Sequence, residues 1–398
     1  MRPYSRVYAT VNLDAVASNM RSMRDNLPAS TLIMGSVKAD GYGHGSVPVA
    51  KTIEPYVFGY AVATIDEGII LRRHGINKTI LILGVTHESR YEDLLRYDIR
   101  TAMFQYEKAK KLSDLALKQG KKAVVHLALD TGMSRIGMKA DREHAKEAAA
   151  IAALEGIEVE GLFTHFARAD ETDKSAYEEQ YRRYKEFLGY LKELGVKIPI
   201  RHCSNSAGIV ESLESNHMDM VRAGIAIYGM YPSDEVDHNS VKLTPAMEIK
   251  SCITYIKEIE AGTAVSYGGT FVADHTMKVA TIPVGYGDGY VRSLSGKGDV
   301  LIRGKRAAIL GRICMDQTLV DATEIPETAP GDEAVLIGNS GAEKITACDV
   351  AEAAGTISNE ILSRLGARLE RIAVAPESDQ NTAAVNNSTA RAMRQACF

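Results

Sequence analysis

Between residues 32 and 228 the chain alternates short runs rich in Val, Ile, Leu and Met with longer stretches whose apolar residues recur every three or four positions. Short, nearly continuous apolar runs fit strands buried on both faces, and the longer recurrence fits amphipathic helices. The runs stand at 33–38, 58–62, 79–83, 99–104, 123–129, 159–165, 198–203 and 220–227. Helical stretches lie at 65–74, 105–119, 142–154 and 174–194; in the last, Tyr177, Tyr181, Tyr184, Phe187 and Leu191 line one face. Eight strand-and-helix units predict an α/β fold, an N-terminal (β/α)8 TIM-like barrel, rather than an open doubly wound sheet. After Pro232 the texture changes to Val/Ile/Thr-rich segments divided by Gly and Pro, at 247–259, 277–283, 299–302, 307–313 and 333–337, with one helix near 347–354. These predict a C-terminal mostly-β domain. The expected boundaries are 12–240 for the barrel and 241–375 for the β domain, which the strand in 1–11 could join. Residues 376–398, rich in Ser, Asn, Gln and Ala without periodicity, read as a flexible tail.

With 398 residues, a formal charge of -4 and 25% charged residues, the surface has no basic excess of the kind a nucleic-acid partner requires. Arg2 and Arg6 precede no apolar signal region, and no window reaches the roughly 18 apolar residues of a membrane span. A cytoplasmic chain with no membrane or nucleic-acid partner is expected. Cys203, Cys252, Cys314, Cys348 and Cys397 are far apart, which argues against both a zinc site and a disulfide framework.

Barrel sites form at the C-terminal strand ends. The first predicted strand ends at Lys38, followed by Ala39-Asp40-Gly41-Tyr42-Gly43-His44-Gly45. A semi-buried lysine can lose its proton and form a Schiff base with a carbonyl, and glycines let backbone approach a ligand; alone, the pattern equally describes a surface lysine before a turn. The fifth strand runs into Asp130-Thr131-Gly132-Met133-Ser134-Arg135, the sixth into Thr164-His165-Phe166, the seventh into His202-Cys203-Ser204-Asn205-Ser206, and the eighth carries Arg222 before Gly224-Ile225. Each alone reads as structural. Together a lysine, two arginines, histidines, a Ser/Asn pair and free amides at Gly224 equip one mouth for a phosphate-bearing aromatic aldehyde.

Other chemistries find less support. The runs at 41–45 and 285–289 read GxGxG, miss the dinucleotide spacing and head no βαβ unit. No GxSxG elbow occurs, and His44, His126, His165 and His202 lack ligand spacing, so no metal is expected.

Over residues 5–371 the chain resembles the alanine racemase family. The motifs that carry the resemblance run in order: Val37-Lys38-Ala39 through Gly45, Asp130-Thr131-Gly132-Met133 with Arg135, Thr164-His165-Phe166-Ala167, Asn205-Ser206, Val221-Arg222 with Gly224-Ile225 and Tyr228-Gly229, Val265-Ser266-Tyr267-Gly268, Ile282 through Tyr286 with Asp288-Gly289-Tyr290, and Gly311-Arg312 with Cys314-Met315-Asp316-Gln317.

The resemblance implies pyridoxal 5'-phosphate (PLP) as cofactor and a head-to-tail homodimer in which Tyr267 completes the site of the partner chain. It implies interconversion of L- and D-alanine by two bases, Lys38 and Tyr267, on opposite faces of the substrate, supplying D-alanine for cell-wall synthesis. Lys38 would hold PLP. Tyr42, His165, Asn205, Ser206 and the amides of Gly224 and Ile225 would bind it, with the position of Asn359 also at the phosphate and the substrate pocket. Arg222 would face the pyridine nitrogen; since arginine does not readily release a proton, that nitrogen would stay unprotonated and the ring a weaker electron sink. A free tyrosine, with a pKa near 10, is a poor base at neutral pH, and in the family His165 and Arg222 link to it by hydrogen bonds. Arg135 would orient the cofactor's phenolic oxygen and the substrate carboxylate, the Met315 backbone would also touch the substrate, and Tyr286 and Asp316 would line the entrance.

Three positions depart from the family pattern. Where many members carry a carbamylated lysine that supports the active-site arginine, this chain has Ala128, so Arg135 needs another brace, a bound anion or a neighbouring side chain. Where the family has a tyrosine at the phosphate, Asn359 stands; a smaller, more polar pocket raises serine as an alternative or second substrate. Residues 367–371, Ala-Arg-Leu-Glu-Arg, replace Pro-Arg-Val-Pro-Arg. Two readings from other classes are a PLP decarboxylase of the same architecture, which would place an acid where Arg222 stands, and a non-enzymatic PLP carrier, which would lack the second domain.

Overall fold

The computed structural model describes residues 6–374; the expected tail, 376–398, lies outside them. The chain forms two compact units, one of 16–245 with 357–364, the other of the segment up to 15, 246–356 and the segment from 365 on.

In the first unit eight parallel strands, Leu32–Ser36, Gly59–Val62, Thr79–Ile82, Arg100–Met103, Ala123–Asp130, Ile157–Phe163, Ile200–His202 and Met220–Ala223, pair in sequence order. The eighth pairs with the first, and the fourth pairs with the fifth, so the barrel is closed. Gly59–Val62 and Met220–Ala223 are buried at every position, as strands covered on both faces require. Helix Ser175–Glu193 buries Tyr177, Tyr181, Tyr184, Phe187 and Leu191, the stripe expected from spacing. Most barrel strands stop earlier than the apolar runs suggest, and at two of them the backbone shows why. The first ends at Ser36, because Val37 (φ -118, ψ 18) already leaves the extended region. The eighth ends at Ala223, because the chain turns at Gly224 into the short helix Ile225–Tyr228.

The second unit is β-rich. Its largest sheet orders Lys305–Ala308, Asp299–Ile302, Glu333–Ser340, Met247–Cys252, Val7–Asn12 and Glu370–Val374, so the first strand of the chain lies between two late ones. A three-stranded sheet of Tyr255–Ile259, Met277–Ile282 and Thr318–Asp321 stands beside a core of Ile259, Val265, Ala273, Met277, Val279 and Leu310. The expected run 247–259 is two strands, and the expected strand at 307–313 ends at Ala308. No helix among the described residues is long and apolar enough to cross a membrane.

Candidate active site

Lys38 opens a turn of the wrong hand. Ala39, Asp40, Gly41 and Tyr42 all have φ between 51 and 62, and Gly41 N donates to Val37 O (2.8 Å) and Gly43 N to Ala39 O (2.9 Å). Left-handed backbone costs roughly 1–2 kcal/mol per non-glycine residue, so this turn exists only where its surroundings impose it. Those surroundings are specific: Asp40 Oδ1 accepts from Ser46 N (2.8 Å), and Glu67 Oε1 accepts from Ala39 N (2.7 Å). The Tyr42 ring lies 5.0 Å from that of Tyr228, whose hydroxyl donates to Ser36 O (2.9 Å). Lys38 Nζ stands 5.9 Å from the centre of the Tyr42 ring. Helix Ser358–Ser363, which carries half-buried Asn359, lies against the turn, and a Cβ on Gly43 would sit 2.0 Å from the Leu362 carbonyl oxygen.

Across the mouth, a Cβ at Gly224 would meet the Tyr42 hydroxyl at 3.2 Å and Ser206 Oγ at 3.5 Å. Ser206 Oγ accepts from Gly224 N (2.9 Å), which leaves its own proton to donate. Two hydroxyls thus converge on a place kept open by glycine, a donor set that suits a phosphate. Asn205 stands beside them and uses its Oδ1 to cap the helix Ser206–Val210 at Gly208 N (3.1 Å); Ile225 is buried at the start of the following turn.

Arg222 is 4% exposed. Its Nη1 donates to His202 Nδ1 (2.9 Å) and His202 O (3.0 Å), its Nη2 to Thr164 O (2.7 Å) and Cys203 O (2.9 Å), with His165 Nδ1 at 3.3 Å. Of five guanidinium N–H bonds only Nε–H is left without a partner among the described residues. Burial, with the Arg135 charge nearby, pulls Arg222 down to about 10. Burial and the charges of Arg222, Arg135 and Lys38 push His165 down to about 3. The sequence-predicted Lys38, Arg135, His165 and Arg222 therefore share one electrostatic environment.

Behind Arg222 lies a chain that sequence reasoning missed, since it weighed His126 only as a metal ligand and placed His202 at the mouth without linking the two. His202 Nε2 meets His126 Nδ1 at 2.8 Å, and His126 Nε2 meets Glu160 Oε2 at 2.9 Å. The signal available was a histidine inside the apolar strand AVVHLALD.

Arg135 is exposed, on a loop that Asp130 Oδ1 fastens by accepting from Gly132 N (2.9 Å) and Ser134 N (3.0 Å). Ala128 packs with Ala102 and Phe163 in an apolar cluster, so its neighbours offer a charged brace nothing to bind. Gln180 was also missed. Its Nε2 donates to Thr131 Oγ1 (3.2 Å) and His165 O (3.1 Å), and its Oε1 accepts from Ala167 N (2.9 Å), tying the Arg135 loop to the His165 strand end.

The remaining candidates sit together in the β unit. Tyr267, 68% exposed, tops a short turn in which Ser266 Oγ donates to Arg312 O. Tyr286 N donates to Cys314 O (3.1 Å) and Gly287 N to Met315 O (2.9 Å), so exposed Tyr286, Met315 and Asp316 lie on two zipped loops. Arg368 holds both loops, through Asp316 Oδ1 (2.8 Å) and Gly287 O (3.2 Å).

Residues 11–232 match the alanine racemase N-terminal domain family, and residues 246–373 match its C-terminal domain family. The chain is 43% identical to an alanine racemase of Desulforamulus reducens over 92% of its own length and 98% of the relative's. It is 44% identical to one of Clostridium perfringens, over 92% and 95%. The solved structure of an alanine racemase of Clostridium difficile 630 superposes with a TM-score of 0.89 at 40% identity, covering 92% of this chain and 95% of that one. These names speak of alanine, and the serine alternative drawn from Asn359 gains no support from them.

Proposed function

The chain belongs to the alanine racemase family, and on that premise we propose that it interconverts L- and D-alanine with pyridoxal 5'-phosphate as cofactor. The carrying observation is Arg222, buried and fixed by four oxygen and nitrogen acceptors, with Nε–H left for a ring nitrogen. A cation so placed keeps that nitrogen unprotonated, whereas the decarboxylase reading requires an acid there. When bound, pyridoxal phosphate supplies the electron sink that acidifies the Cα–H of the amino acid.

The residues present fit the group. Tyr42 and Ser206 hydroxyls around the open space at Gly224 would hold its phosphate, and Lys38 would hold its carbonyl carbon. Arg135, on its Asp130-fastened loop, would orient the alanine carboxylate. The Lys38 amine would exchange the Cα proton from one face. On the other face we place the phenol of Tyr267 from the partner subunit of a homodimer. His165 supports that phenol: with Nδ1 accepting from Arg222, its proton stays on Nε2, where it can donate to a phenolic oxygen and stabilise the deprotonated form. We place the reaction in the cytoplasm, in line with the free thiols of Cys203, Cys252 and Cys314.

The test is chiral chromatography of PLP-loaded protein incubated with L-alanine and, separately, L-serine. D-alanine should form with the higher kcat/KM; faster D-serine formation, or CO2 release without D-isomer, would sink the reading.

A further inference from the structure

The Arg222–His202–His126–Glu160 chain has one possible arrangement of protons. Arg222 has only N–H donors, so His202 Nδ1 accepts and its proton sits on Nε2. His126 Nδ1 then accepts from His202, and the His126 proton sits on Nε2, facing the Glu160 carboxylate. Reversing the order would bring an N–H of His202 against an N–H of Arg222. Every dipole therefore points its negative end at Arg222, and a carboxylate terminates the series. Burial and nearby arginines keep both imidazoles below the ordinary histidine range, hence neutral. The chain cannot deliver protons to the mouth, because the guanidinium at its end has no lone pair to receive one.

The backbone is shaped for this arrangement. Between the fifth and sixth barrel strands the register steps from Val125↔Val159 to His126↔Gly161, so Glu160 is the extra residue of a β-bulge. A bulge re-aims the side chain it carries. Next to it, a Cβ on Gly161 would lie 2.4 Å from His126 Nδ1, so only glycine gives the imidazole its place. Arg100, at the start of the fourth strand, meets the same Glu160 oxygen at 3.4 Å and holds the carboxylate from outside.

We propose that Glu160 is a positioning residue for Arg222, acting through His126 and His202 to fix the orientation and charge of the guanidinium at the cofactor ring. This rests on the placing of Arg222 at the ring nitrogen. Losing the terminal charge frees the histidines to sample other tautomers, and Arg222 loses one of its fixed acceptors part of the time.

The experiment is 15N NMR of histidine-labelled full-length protein, loaded with pyridoxal phosphate and again without it, beside steady-state kinetics with alanine. In the wild type, His126 and His202 should both be neutral with the proton on Nε2, loaded or not. Glu160→Gln should give mixed tautomers and lower kcat about tenfold with KM changed less than about twofold. Glu160→Asp, which keeps the charge, should restore single tautomers and part of kcat. A proton on Nδ1 of either wild-type histidine would overturn the proposal, as would a folded Glu160→Gln with unchanged tautomers and kcat. If Glu160→Gln does not fold, the wild-type tautomers and Glu160→Asp decide. A wild type with these tautomers and no racemisation would refute the proposed function instead.

Discussion

Three histidines in the barrel are neutral because burial penalises their charged forms: His165, where the charges of Arg222, Arg135 and Lys38 add to it, His202, where Arg222 adds to it, and His126, where burial outweighs the Glu160 carboxylate. In the unfolded chain each takes up a proton near pH 6.5, while in the folded chain His165 resists to about 3. The folded state binds fewer protons, so its stability is fully present above pH 6.5 and is lost as pH falls below it. His165 contributes a loss that approaches about 1.4 kcal/mol per pH unit in that window, and His126 and His202 act in the same direction. Calorimetric Tm should therefore fall from pH 6.5 toward 5, where most carboxylates are still ionised; a flat Tm over that range would contradict the neutral assignment. Rates should behave differently. His165 does not titrate near 6.5, so its replacement by Gln should lower kcat without moving the acid limb of the pH–rate profile.

Elements place these residues, and one of them depends on contacts that no local pattern reveals. The left-handed turn at Lys38 is held against helix Ser358–Ser363, and Gly43 (φ +84) is the point of approach. Gly43→Ala combines a clash with the Leu362 backbone and a strained φ; it should cost about 3 kcal/mol and weaken cofactor binding. Urea unfolding of the cofactor-free chain and PLP titration check both effects. The loop that presents Arg135 is fastened from within by one carboxylate oxygen of Asp130 and tied from outside by Gln180. Asp130→Ala should raise KM for alanine about tenfold with a smaller loss of PLP affinity, since Arg135 on that loop would chiefly orient the substrate carboxylate. Equal losses in PLP affinity would move Asp130 to the cofactor instead. The barrel strands and the Tyr177–Leu191 stripe were legible in the sequence because period alone specifies them. The turn at Lys38, the bulge at Glu160 and the return of 357–364 were not. Handedness follows from tertiary contacts, a bulge breaks the period being read, and Gly43 and Leu362 lie more than three hundred residues apart in the chain.

At the scale of the whole molecule, the motifs that identify the family were all visible in the sequence, whereas which chain supplies Tyr267 was implied by resemblance alone. Tyr267 is 68% exposed and Met315, on a neighbouring loop, 53%, so the two offer apolar surface that an interface between subunits would cover. A homodimer that shares its sites makes a quantitative prediction. Lys38→Ala and Tyr267→Phe should each be nearly inactive as pure proteins. After the two are unfolded together and refolded in equal amounts, about half the dimers contain one chain of each kind. If Tyr267 acts across the interface, one site in each mixed dimer carries both substitutions and is dead. The other pairs an intact Lys38 with an intact Tyr267, so the mixture recovers about a quarter of wild-type activity. If Tyr267 served the site of its own chain, every site in every mixed dimer would lack one base and nothing would be recovered.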